Sequence, residues 1–335
     1  MMKYFNMQTK ICKINKESIK KAKDILFSSG VVAIPTETVY GLGALATDSE
    51  AVKKIFEIKG RPIDNPLIAH VHKDYDINRL CVIEQDYVDD LIKAFTPGPL
   101  TMVFNIKGIV CSEAVCGGST LAIRIPSHEG CQKLLKAVDT PIVAPSANLS
   151  KHTSPVCAQH VFDDLGGKIE LILDGGKCSG GIESTVLDCT EKTPRILRAG
   201  LITKEMIERV VGRCEIAMHK EGDKVRSPGV KYTHYHPKCE TALYQVDELD
   251  LVKKRYESEL LLGKNPYIMC ATSLAQNFVG KNLLLLGESE SEIASNLYEK
   301  LLEGEKVADI IIAVAMPDEK NVNLGIMNRM KKSCS

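Results

Sequence analysis

The stretch KGRPIDNPLIAH, residues 59–70, closes a helix pattern at Gly60, turns through Pro62 and Pro66, and opens a strand pattern in PLIAHV. Upstream of it, DSEAVKKIFEIKG has Asp48 or Ser49 as a cap and places Val52, Ile55, Phe56 and Ile58 along one helical face. Earlier still, SIKKAKDILFSS (residues 18–29) has helical spacing and stops at Gly30, and VVAIP reads as a buried strand ending at Pro35. Downstream, TMVFNI, LAIRIP, PIVAPS, IELILDGG and STVLDC are short and rich in Val, Ile or Leu, with helix patterns over residues 87–95 and 129–137. Strands and helices alternate irregularly, which predicts a mixed, twisted α/β sheet.

The texture changes near Gly222. GDKVRSPGVKYTHYHPKCE has little hydrophobic periodicity, the profile of an ordered linker or lid. Beyond it TALYQV, PYIMCA, NLLLLG and DIIIAVAM alternate with helical VDELDLVKKRYESELL and ESEIASNLYEKLLEGEKV, which predicts a small parallel sheet covered by helices. A chain of 335 residues exceeds one usual hydrophobic core, so two domains are expected. Lys+Arg 43 against Asp+Glu 43 leaves no net charge, so any basic site is a local patch. Neither a bilayer-length apolar run nor a signal-peptide core is present, and the 12 Cys form no Cys-x-x-Cys pair, which fits reduced thiols in a cytoplasmic protein.

Lys59 and Arg61 are two cations two residues apart, braced by prolines and followed by Asn65, a pattern suited to a compact polyanion such as nucleotide phosphates. An isolated K-x-R is usually a solvated turn, and a lone His such as His70 is usually a satisfied core residue. PTETVYGLG (residues 35–43) follows a buried strand, where open α/β sheets hold ligands; Thr36, Thr38 and Tyr40 are its candidate polar groups, and it lacks a Walker ending. Thr120 and Arg124 share a face of one strand, and the guanidinium suits a carboxylate, which points to an amino acid or another small acid. Ser146 and Asn148 in APSANLS, with Ser154 shortly after, and Ser184 and Thr185 in ESTVLDC add hydroxyls and amides at strand ends; PRILRAG adds Arg195 and Arg198. A G-x-S-x-G elbow is absent, so covalent catalysis is not expected.

Taken together, PTETVYGLG, KGRPIDNPLIAH, STLAIRIP, APSANLS with Ser154-Pro155, GGIESTVLDC, PRILRAG and SPGVKYTHYHP resemble the YrdC-like family in its long, two-domain threonylcarbamoyl-AMP synthase form. The resemblance implies a YrdC-like twisted mixed open sheet with helices over residues 1–215, an ordered linker over 216–240, and a smaller C-terminal Rossmann-like parallel α/β domain over 241–335. It implies a nucleotidyl transfer in which L-threonine, bicarbonate or CO2, and ATP give threonylcarbamoyl-AMP and pyrophosphate, for the threonylcarbamoyladenosine modification of tRNA. Lys59 and Arg61 would be catalytic and, with Asn65, hold the ATP phosphates. Thr120, Ser146, Ser154, Arg198 and His234 or Tyr235 would complete the nucleotide site. Thr38, His70, Arg124, the Ala144 backbone and Ser184 would line the threonine pocket. Mg2+ would arrive on the ATP phosphates, with no organic cofactor. The downstream partner would be the tRNA threonylcarbamoyl-transfer machinery, with tRNA contact weak or indirect and no membrane partner.

Three positions depart from the family pattern: Lys151 where Gly is common, Lys177 where Pro is expected, and HEG after Ser127 where His-Pro is common. A different class, a double-stranded RNA-binding module on the YrdC fold without synthase activity, is disfavoured by zero net charge and hydroxyl-rich clusters. A carbamoyl-phosphate-using transferase containing this fold is disfavoured by the missing zinc-type Cys pairs.

Overall fold

The computed structural model describes residues 7–217 and 235–334. They divide into two compact units, one within Met1–Ser150, Pro155–Ser179 and Glu183–Lys231, the other within Lys151–Ser154, Gly180–Ile182 and Tyr232–Ser335. Of the expected linker, residues 218–234, His234 among them, lie outside the described residues.

The first unit runs β1 (Lys10–Lys13), α1 (Lys16–Phe27), β2 (Val32–Ile34), β3 (Gly41–Leu45), α2 (Ser49–Lys59), β4 (Ile68–His70), β5 (Cys81–Val82), α3 (Tyr87–Phe95), β6 (Leu100–Ile106), β7 (Thr120–Arg124), α4 (Glu129–Val138) and β8 (Ile142–Val143). It continues with α5 (Ala158–Leu165), β9 (Leu171–Asp174), β10 (Thr185–Asp188), β11 (Arg195–Arg198), α6 (Lys204–Val211) and β12 (Glu215–Ile216). The strands form one mixed sheet in the order β1-β9-β2-β3-β8-β4-β7-β6-β10-β11-β12, with β5 alongside β6.

Local chemistry explains the element ends. Asn15 and Ser18 cap α1 reciprocally, each side chain accepting the other's backbone N–H at 2.9 Å, so the helix starts two residues before the expected 18. Asp48 caps α2 by accepting from Ala51 N at 3.0 Å, and Gly60 ends it in the left-handed region at φ 60°. The end of PTETVYGLG, residues 41–43, expected as part of a ligand-holding loop over 35–43, instead opens strand β3, paired antiparallel with β2. Its glycines serve close approach: a Cβ at Gly43 would sit 2.8 Å from Ile142 Cγ2, and one at Gly41 would sit 3.0 Å from Ala144 Cβ. The main core lies between α1, α4 and the sheet, where Leu26, Ile34, Leu134, Leu135, Ile142 and Leu171 are all buried. Burial at this scale is what holds such a sheet together, at roughly 25 cal/mol per Å² of apolar surface removed from water.

The second unit runs β13 (Glu240–Tyr244), α7 (Leu249–Leu261), β14 (Pro266–Cys270), β15 (Leu283–Leu285), α8 (Glu290–Val307), β16 (Ile310–Val314) and α9 (Asn321–Ser333). Its four strands pair in parallel in the order β13-β16-β14-β15. Val252 and Tyr256 of α7 pack on Ile268, Ile310 and Ile312. The sequence reading found these strands and α7 and α8 but not α9, a helix whose Gly325 and buried Asn323, Arg329 and Ser333 interrupt the apolar pattern. Among the described residues no helix is long and apolar enough to cross a membrane.

Candidate active site

One row of paired residues crosses seven strands of the large sheet. Leu45 pairs with Ile142, Ile142 with His70, His70 with Arg124, Arg124 with Thr101, Thr101 with Val186, and Val186 with Arg198. Directly paired residues project to the same face, so this row is a single line of side chains. Its Leu45–Ile142 end belongs to the core under α1 and α4, whereas its other end is polar and charged. The polar groups are all buried: His70, Thr101, Arg124, Ser184 and Arg198 are each less than one-tenth exposed.

Arg124 sits at the centre. Its Nη1 donates to Thr38 Oγ1 at 2.8 Å, and its Nη2 lies 2.8 Å from Glu37 Oε1. Its Nε and Nη2 are both buried with no hydrogen-bond partner among the described residues, so Nη2 meets Glu37 as an ion pair alone. The strand that carries it is therefore interior, not a surface strand with one solvent-facing salt bridge. Thr38 comes from the loop between β2 and β3, which is held by Thr36: its hydroxyl donates to Val39 O at 2.7 Å and meets Thr38 Oγ1 at 2.9 Å. Tyr40, a candidate for substrate contact, is instead fully buried, donating to Gly176 O at 2.8 Å and accepting from Gly175 N at 3.0 Å.

His70 is a buried side chain whose Nδ1 lies 3.1 Å from Ile68 O. Burial, with the Arg124 charge beside it, pushes its pKa down to about 3, so the imidazole is neutral. On the far side of Arg124, Thr101 Oγ1 lies 2.8 Å from Ser184 Oγ, and Arg198 donates from Nε and Nη2 to Ser184 O at 3.1 and 3.0 Å. Thr38 with Arg124, and Thr101 with Ser184 and Arg198, thus form two buried hydrogen-bonded groups placed side by side where Arg124 pairs with Thr101 across β7 and β6.

A second cluster forms where α2 ends. Lys59 is buried, and its Nζ donates to Ser146 O and Asn148 O, both at 2.5 Å. Burial, reinforced by the Arg61 charge and only partly opposed by Asp164, holds this amine well below its ordinary range. Arg61 Nη2 donates to Asn65 O at 3.0 Å. Asn65 is fully buried, yet among the described residues neither its Oδ1 nor its Nδ2 has a partner. A buried amide with both ends unpaired among the described residues is costly, at about 1–3 kcal/mol. The loop of Ser146 is fixed by Leu42 N donating to Pro145 O, Ala147 N to Tyr40 O, and Leu149 N to Asp164 Oδ2. Ala144 N, by contrast, is already used, donating to Ile68 O at 3.0 Å.

Thr120 and Arg124 share a face, as expected, but they open and close β7 and stand roughly 13 Å apart on an extended strand. They do not meet at one point. Thr120 begins its strand just as Asn65 precedes β4, while Arg124 ends its strand level with His70. Ser154, fully buried, belongs with the second unit, where Thr153 Oγ1 donates to Tyr235 O at 3.1 Å and His236 N donates to Lys151 O at 3.0 Å. Tyr235 is buried there against Tyr298, with ring centroids 5.2 Å apart. Lys151 takes φ 73°, so the backbone a glycine would favour is kept at a cost. His128 of HEG caps α4 by accepting from Cys131 N at 3.2 Å, a structural use of that departure.

Sequence reading missed Glu37 and Thr101. Glu37 was visible as the only acid in PTETVYGLG, whereas Thr101 carries no signal beyond its place in an apolar strand.

A family model described as "Telomere recombination" matches residues 24–200, and one described as "Threonylcarbamoyl-AMP synthase, C-terminal domain" matches residues 202–335. The chain is similar to the threonylcarbamoyl-AMP synthase of Pyrococcus abyssi, 39% identical over 96% of this chain and 95% of the relative. It is equally similar to that of Bacillus subtilis, 39% identical over 95% and 93%. Among solved structures, P. abyssi Sua5 complexed with L-threonine superposes with a TM-score of 0.89 at 37% identity, covering 97% of both chains. The large mixed sheet, the separate parallel four-stranded sheet and these end-to-end matches place the chain in the threonylcarbamoyl-AMP synthase family, in its long two-domain form.

Proposed function

We infer that this chain is an enzyme that makes threonylcarbamoyl-AMP and pyrophosphate from L-threonine, ATP and bicarbonate or CO2. The observation that carries the reading is Arg124: a buried guanidinium held by Thr38 and Glu37, with a donor left over, in a chain whose relative was crystallised with L-threonine. On this reading Arg124 takes the threonine carboxylate, with Thr38, His70, the Ala144 backbone and Ser184 around the rest of the amino acid. Lys59, Arg61 and Asn65 take the ATP phosphates, joined by Thr120, Ser146 and Arg198.

The chemistry asks for alignment and charge neutralisation, not a protein nucleophile. The threonine amine, once neutral, adds to CO2 to give a carbamate. A carbamate oxygen attacks the α-phosphorus, and the bond to pyrophosphate breaks. Neutral His70 adds no positive charge that would compete with Arg124 for the carboxylate. Lys59 and Arg61 offset the charge that develops on the leaving pyrophosphate. The donors around Lys59 are cationic and amide, a set that fits a polyphosphate bringing its own Mg2+, which adds further neutralisation when bound. The product then passes to the tRNA threonylcarbamoyl-transfer machinery in the cytoplasm, with tRNA contact weak or indirect.

The test is pyrophosphate release. It should require threonine, bicarbonate and ATP together and fall at least tenfold in Arg124→Gln, with threonine affinity down by about 1.5–3 kcal/mol. No release with all three substrates, beside tight salt-resistant RNA binding, would instead favour an RNA-binding role.

A further inference from the structure

We propose that Glu37 is a positioning residue of this enzyme: it fixes the plane of the Arg124 guanidinium so that Nε faces the amino-acid carboxylate. The inference rests on the reading that Arg124 receives that carboxylate. An arginine has many rotamers, and freezing them on substrate binding weakens affinity unless the protein has done so already. Two contacts do this here. Thr38 Oγ1 takes Nη1 and Glu37 Oε1 takes Nη2, each at 2.8 Å, and two fixed ends of a planar fork determine where the third nitrogen points.

Glu37 is itself braced. It lies on the short loop between β2 and β3, buried, with its carboxylate beside the backbone N–H groups of Glu37 and Ser127. Burial works against its ionised form, but the Arg124 charge beside it, together with those N–H groups, holds its carboxyl below the usual carboxylate range. Its charge is therefore present throughout the neutral pH range. It also balances Arg124, and with His70 neutral the centre of the row carries no net charge, which suits a zwitterion better than an anion.

The experiment is a double-mutant cycle with calorimetric affinities for L-threonine and for ATP. Glu37→Gln should weaken threonine about tenfold, leave ATP within about twofold, and lose this effect when Arg124 is already Gln. Glu37→Asp should recover part of the loss. Threonine affinity unchanged in Glu37→Gln while Arg124→Gln loses it would overturn the positioning role and leave the Arg124 reading intact. Parallel loss of both ligands, or an effect undiminished in the Arg124→Gln background, would also overturn it. Threonine affinity unchanged in Arg124→Gln would bring down the underlying reading itself. If Glu37→Gln does not fold, Glu37→Asp in both backgrounds gives the same cycle.

Discussion

Replacing Lys59 by Met removes a charge but keeps most of the side chain's length, and the structure says what should follow. The amine is fully enclosed, bonded to two carbonyls, and repelled by Arg61, so part of its population is neutral well below the usual lysine range. An arriving polyphosphate favours the charged form, so ATP binding should draw in a proton at alkaline pH, where the phosphates are already deprotonated. Titration calorimetry in two buffers of different ionisation enthalpy reads this uptake directly. In Lys59→Met the uptake should vanish, and ATP should bind more weakly by about 1.5–3 kcal/mol, roughly 10- to 150-fold in Kd. Native protein that binds ATP without buffer dependence, or a Met variant with native affinity, would refute the phosphate role of this amine.

Two further perturbations test other parts of the fold. His70 is held at about 3 in the folded chain against an ordinary 6.5, so the unfolded state binds the extra proton. Stability should therefore fall as pH drops from about 6.5 toward 3, and His70→Asn should flatten that slope in denaturant titrations. Lys151→Gly should stabilise by about 0.5–1 kcal/mol, because glycine takes φ 73° without strain; a raised denaturant midpoint with unchanged slope is the expected result.

Much of this was legible because strand ends and helix caps are written locally. Asp48 and Gly60 bound α2 in the sequence as they do in the structure, and each apolar run named at the outset contributes a strand. What was not legible depends on pairing partners. GLGAL looks like a loop because its glycines are read as turn residues, and only the nearness of Ile142 and Ala144 makes them strand residues. PRILRAG shows no alternation that marks β11, and Arg198 joins the row only through a bulged pairing with β10. Thr120 and Arg124 were correctly placed on one face, but sharing a face says nothing of how far apart two groups stand along it. Tyr40 looked available because it is polar in a polar loop; its bonds to Gly175 and Gly176 come from a segment more than a hundred residues on.

The single line of side chains has a metrical consequence. Neighbouring strands lie about 4.8 Å apart, so the four steps from His70 through Arg124, Thr101 and Val186 to Arg198 span roughly 19 Å. Backbone ladders set that spacing, and side-chain flexibility does little to alter it. The sheet acts as a ruler graduated in strands, and a one-residue insertion within β6 or β7 would turn a graduation to the opposite side. Apolar-for-apolar substitutions off this line should thus be forgiven in these strands where indels are not.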